Sequence, residues 1–342
     1  MKFFAKIFIY LLCFVLMSFS IFKLFKQTPV EFKVPKNWPT PIYNFKLNPL
    51  TREKFELGKS LFYDPILSSD SSTSCASCHL SYTAFTHADH AISHGVNGKS
   101  GTRNALTLIN LAWSKSFMWD GGVNNLEVQA INPITHVSEM NESLEHVLIK
   151  LNRSDKYKRL AQTAFNEEKI DSKKLLKALA QFTVRLVSAN SKYDSVMRKE
   201  PNVKFTDQEE KGYKLFQKNC SVCHTEPLFT NNKFENIGLP IDPEINDIGR
   251  MKITSNSEDS LKFKVPTLRN IEFSAPYFHD GRAKKLKDVL EHYTNGVRKS
   301  INIHSALQNG ISLSSSEKVE LISFLKTLTD KNYLYNSEYR LR

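Results

Sequence analysis

A chain of 342 residues with 41% hydrophobic content builds real cores, which excludes intrinsic disorder and leaves room for two domains of ordinary size. Its 47 Lys and Arg against 35 Asp and Glu give a net charge of +12. The lysines are scattered, with no block of interleaved basic and aromatic residues, so the excess reads as a solvated basic surface and nucleic acid is not an expected partner.

The N-terminus carries Lys2 and Lys6, then an uncharged apolar run from Ile7 to Phe22 closed by Lys23 and Lys26. Basic residues ahead of such a run read as an export signal that leaves the N-terminus in the cytoplasm. Two forms stay open. Ser18-Phe19-Ser20 offers a small-x-small cleavage site, while Leu24 and Phe25 extend the run toward the ~20 residues of a retained anchor. Residues 1–28 are therefore expected to be a signal peptide or membrane anchor, with the rest of the chain on the periplasmic side. Residues 29–49, rich in Pro and Asn, read as an extended tether.

Beyond it the chain repeats itself. Thr51 to Phe62 (TREKFELGKSLF) and Thr206 to Phe216 (TDQEEKGYKLF) each read as a helix ending in Leu-Phe just ahead of a cysteine pair. In the second copy Thr206 and Glu209 have the spacing of a capping box. Between the copies, Leu175, Leu176, Leu179, Phe182 and Leu186 recur at helical spacing behind Asp171 or Ser172. Period-two alternation is scarce. The expected fold class is mainly α, in two related modules over 50–200 and 201–335 that meet near Glu200-Pro201.

Of five cysteines, Cys13 lies in the apolar run and the others form Cys75-Ala76-Ser77-Cys78-His79 and Cys220-Ser221-Val222-Cys223-His224. Cysteines three apart share one face of a helical turn, where their sulfurs reach the two vinyl groups of a single haem. The adjacent histidine then meets the iron as proximal ligand. A four-cysteine zinc site or a thioredoxin-like pair would not place a histidine identically after each pair. Two covalent c-type haems follow.

On these residues the chain resembles the bacterial di-haem cytochrome c peroxidases, a family that includes the MauG-type di-haem enzymes. The resemblance spans roughly Asn48 to Asn295 and rests on LGKSLFYDP before the first haem motif, FMWDGGVNNLEVQAINPI after it, and KVPTLRNIEFSAPYFHDG after the second. It implies two cytochrome c-like helical domains, a peroxidatic N-terminal haem and a C-terminal haem that passes electrons to it. The family's distal group is a Gln, a Pro four residues later and a Glu six further on. Gln129, Pro133 and Glu139 match it, with Glu139 as the carboxylate that moves a proton between the oxygens of hydrogen peroxide. Trp119 matches the aromatic residue between the haems. Asn104, with the carbonyls of Ser274 and Pro276, matches the family's Ca²⁺ site, although Ser274 stands where Thr is usual.

His94 resembles the distal histidine that blocks the peroxidatic iron in many resting members, and His87 and His90 compete for that role. Where most peroxidases place an axial Met on the second haem, the helix reads Asp288-Val289-Leu290-Glu291-His292-Tyr293. Tyr293 falls on the Met position, as in MauG-type members, with His292 as its neighbour and rival. The expected partners are hydrogen peroxide and a small donor protein, a cytochrome c or a cupredoxin, with a homodimer left open. Two other readings remain: a MauG-like oxidase acting on a protein or small substrate through a high-valent di-haem state, and a non-catalytic electron carrier.

Overall fold

The computed structural model describes residues 25–341, so most of the expected signal or anchor lies outside the described residues. Among those described, no helix is long and apolar enough to cross a membrane. The chain is mainly α, with α1 (Arg52–Tyr63), α2 (Leu144–Arg153), α3 (Asp155–Phe165), α4 (Ser172–Val184), α5 (Lys192–Met197), α6 (Asp207–Asn219), α7 (Leu286–Glu291) and α8 (Ser315–Lys326) as its longer helices. A single antiparallel pair, β1 (Phe234–Glu235) with β2 (Phe263–Lys264), sets Phe234 opposite Lys264.

The sequence repeat is a repeat of packing. Thr51 caps α1 by accepting from Lys54 N, and Thr206 with Glu209 closes a reciprocal capping box on α6. Helix α1 crosses α4, and α6 crosses α8. At each crossing a glycine permits backbone contact: a Cβ on Gly58 would lie 1.9 Å from the Ala178 carbonyl oxygen, and one on Gly212 would lie 2.0 Å from that of Glu320. The Leu-Phe pair that follows each glycine then faces inward. Leu61 and Phe62 enter a core with Phe55, Phe85 and Phe182, while Phe216 enters a second with Phe229, Leu290 and Phe324.

Core membership does not change at one point in the sequence. Tyr193 of α5 and, beside it, Val196 already pack in the second core, ahead of the expected boundary at Glu200-Pro201. Tyr333, Leu334 and Tyr339 return to the first. The tether expectation for residues 29–49 needs correction: the segment is extended but not free. Phe32, Trp38, Tyr43 and Phe45 pack on a third core around Trp113 and Val184, and Trp113 Nε1 donates to the Pro39 carbonyl at 2.7 Å. Its aromatic residues gain more from burial than a polar linker would from solvation.

A fully buried ion pair holds the second module. Arg269 donates from Nη1 and Nη2 to the two oxygens of Asp194, each at 2.8 Å, and from Nε and Nη2 to the Pro227 carbonyl. Burial pushes the Asp194 carboxyl up, but the Arg269 guanidinium and the Ser191 hydrogen bonds together outweigh it and hold the carboxyl below its usual value of 3.8. Its contribution to stability is therefore complete above that value and is lost as pH falls through the lowered one. Arg269→Leu leaves a buried carboxylate unpaired and should cost about 3–5 kcal/mol in denaturant unfolding. A loss under about 1 kcal/mol would mean that the pair does not hold the module.

Candidate functional site: two cavities with a common wall

Each Cys-x-x-Cys-His motif forms one helical turn on its own cavity. Cys75–Cys78 is a short helix, and the Cys220 carbonyl accepts from both Cys223 N (3.2 Å) and His224 N (2.9 Å). Cys75, Cys78 and His79 line a first cavity of about 490 Å³, and Cys220, Cys223 and His224 a second of about 200 Å³. The four thiols therefore do not converge on one zinc ion. None is the acidified thiol of a redox pair either: burial pushes Cys75 and Cys220 up to about 12.

The donor set fits covalent haem. All four cysteines carry free sulfurs. His79 Nδ1 lies 2.7 Å from the Phe85 carbonyl, and His224 Nδ1 lies 3.2 and 3.1 Å from those of Phe229 and Pro266. A backbone acceptor fixes the proton on Nδ1 and turns the bare Nε2 outward, as iron ligation needs. Burial lowers both imidazoles, His224 to about 4, so neither competes for a proton.

The first cavity gathers residues that are far apart in sequence. Gln129 ends the turn Leu126–Gln129, Pro133 lies in Ile131–Thr135, and both line the cavity with Glu139 and His94. The loop carrying His94 is pinned to Glu139 by Val96 N donating to the Glu139 carbonyl at 2.8 Å. Burial raises the Glu139 carboxyl above its ordinary 4.5, with His136 Nδ1 at 4.0 Å as the weaker opposing influence. Gln129 Nε2 donates to Met118 Sδ at 3.7 Å, and Met118 lines the same cavity. Of the three competing histidines only His94 lines the cavity. His87 and His90 instead stack on each other at 4.2 Å.

In the second cavity Tyr293 stands with Cys220, Cys223 and His224, and no methionine lines it. Helix α7 widens after Glu291 into a π turn, His292–Gly296, which carries both His292 and Tyr293. His292 Nε2 is engaged by the Ile237 carbonyl at 3.0 Å and lies outside the cavity lining. Met251, the only methionine after His224, lines neither cavity. Asn104, Ser274 and Pro276 line the second cavity together. The Asn104 amide donates to the carbonyls of His90 and Ala91, and its Oδ1 accepts nothing among the described residues.

Asn104, Trp119, Lys264, Val265, Pro266 and Thr267 line both cavities and so form a common wall. Trp119 is 8% exposed. Its Nε1 donates to the Asn104 carbonyl at 2.8 Å, and its own carbonyl accepts from Lys264 N at 2.7 Å. His279 stacks on Phe263 at 3.6 Å, its ring nearly perpendicular to that of Trp119 at 6.5 Å. Lys264, Phe263 and His279 were not singled out from the sequence. Lys264 and His279 sit inside the third signature stretch and Phe263 immediately before it, and the spacing does not reveal which side chains reach a cavity.

Two Cys-x-x-Cys-His turns, each with an oriented histidine on a separate cavity of a mainly helical chain, define a di-haem c-type cytochrome. A family model described as di-haem cytochrome c peroxidase matches residues 52–202. The methylamine utilization protein MauG of Methylorubrum extorquens is 36% identical over 304 residues, covering 87% of this chain and 83% of that protein. Cytochrome c551 peroxidase of Nitrosomonas europaea is 33% identical over 294 residues, covering 84% of each. A solved MauG-like protein associated with microbial copper homeostasis superposes with a TM-score of 0.81 at 29% identity, over 91% of this chain and 99% of that one. The chain belongs to the di-haem cytochrome c peroxidase family, in which MauG proteins and peroxidases are both found.

Proposed function

We propose that this chain reduces hydrogen peroxide to water on the periplasmic side, with electrons from a small redox protein. The observation that carries this reading is the Glu139 carboxyl on the cavity of Cys75, Cys78 and His79, with Gln129, Pro133 and His94 around it. Cys75, Cys78 and His79, and Cys220, Cys223 and His224, would each hold a haem, and these would supply a peroxide-binding iron and the reducing electrons. Glu139 accepts the proton from one peroxide oxygen and returns it to the other, which then leaves as water. Two electrons and two protons complete the balance of one peroxide to two waters. Pro133 and Gln129 shape the cavity at Glu139, and His94, on the same lining, would close it in a resting state. Trp119, in the common wall, carries electrons from the second side to the first. Asn104 Oδ1 with the carbonyls of Ser274 and Pro276 offers hard neutral oxygens suited to Ca²⁺, which would stiffen that wall.

Peroxide turnover should depend on the ionised form of Glu139. kcat/KM is expected to rise with pH through a value above 4.5, and Glu139→Gln should abolish this limb and lower turnover about 10²–10⁴-fold with both haem spectra intact. Turnover within a factor of about two of wild type would remove Glu139 from the mechanism.

One observation favours a second reading, a MauG-like oxidase acting on a protein or small substrate. Tyr293 lines the second cavity and no methionine does. A phenolate is a hard anionic donor that disfavours the reduced iron, whereas a thioether raises the potential. Tyr293→Met should therefore raise the reduction potential of the second haem and change its ferric magnetic signature. If both are unchanged, Tyr293 is a packing residue and the oxidase reading loses its support.

A further inference from the structure

A buried ammonium stands in the common wall with no carboxylate beside it. Lys264 on β2 is 9% exposed and lines both cavities. Of its three N–H donors, one is used: Nζ donates to the Ser116 carbonyl at 2.6 Å. Ser116 lines the first cavity and not the second, so the ammonium is held on the first side. Among the described residues no charged group offsets it, and burial alone pulls it down to about 8. The other cations on this cavity are accounted for. Arg103 binds Asp120 and Asp247, and Lys252 is exposed.

A buried cation without a counter-ion is costly, so such groups are neutralised or paired. The protein supplies no anion here, but a haem brings two propionate carboxylates. The position of Lys264 is also fixed. Its backbone is tied to Trp119 and its strand register places it opposite Phe234. We propose that Lys264 binds a propionate of the haem attached at Cys75 and Cys78 and raises that haem's reduction potential. The sign follows from Coulomb's law. Reduction adds an electron, and a nearby cation in a low-dielectric wall favours the state with more negative charge. A lysine in this place draws electrons toward the first cavity from the second.

This assignment rests on two attached haems, and the experiment separates the two claims. Mass spectrometry of denatured holoprotein first counts the haem additions. Redox titration then compares wild type with Lys264→Met and Lys264→Arg. The expected result is two additions in every form, a lower potential of the first haem in Lys264→Met with a smaller shift of the second, and a potential near wild type in Lys264→Arg. Lys264→Gln keeps an N–H for Ser116 and drops only the charge, so it serves the same comparison if Lys264→Met does not accumulate. Unchanged potentials with both haems attached would overturn the role of Lys264. So would equal loss in the Arg and Met variants, which marks a packing role. Fewer than two additions in wild type would instead overturn the di-haem reading beneath it.

Discussion

The hydrogen bond from Lys264 N to the Trp119 carbonyl, 2.7 Å long, ties the loop after the first haem motif to the strand that follows the second. It joins residues 145 positions apart, at the one stretch of wall that both cavities share. Trp119 Nε1 on the Asn104 carbonyl extends the link, and Asn104 N in turn donates to the His279 carbonyl at 2.6 Å. Each bond crosses between modules or orients a ring in the wall. Farther out, Arg103 bridges Asp120 of the first module to Asp247 of the second. Two cavities thus share one hydrogen-bonded partition.

The two cavities are chemically unlike, although the turns beneath them repeat. The first is the larger and carries the Glu139 carboxylate. The second is smaller and carries the Tyr293 phenol on the same lining as His224. Repetition of Gly58 and Gly212 at the helix crossings explains the common scaffold, because close backbone approach is a demand of packing. Two segments outside those crossings differ: the Gln129–Glu139 stretch in one module and the π turn bearing Tyr293 in the other.

What could be read in the sequence follows the range of each interaction. The cysteine–histidine turns, the capping box of Thr206 and the inward Leu-Phe pairs are local, and the mainly α fold was legible from them. Tyr193 in the second core and the packing of Trp38 and Tyr43 were not. Their partners, Phe229 and Trp113 among them, are tens of residues away and no period marks them. Lys264 shows the same limit. Its importance depends on which cavity its strand faces, and that is decided by pairing with Trp119 and Phe234 rather than by its neighbours in the chain.

The central claim is that the common wall couples the cavities through Trp119. The direct measurement is the rate at which an electron placed on the second haem reaches the first, followed spectroscopically after rapid mixing with reductant, in wild type and in Trp119→Leu. The account predicts that this rate falls by an order of magnitude or more while both haems stay attached and their potentials stay put. A rate equal to that of wild type would contradict it.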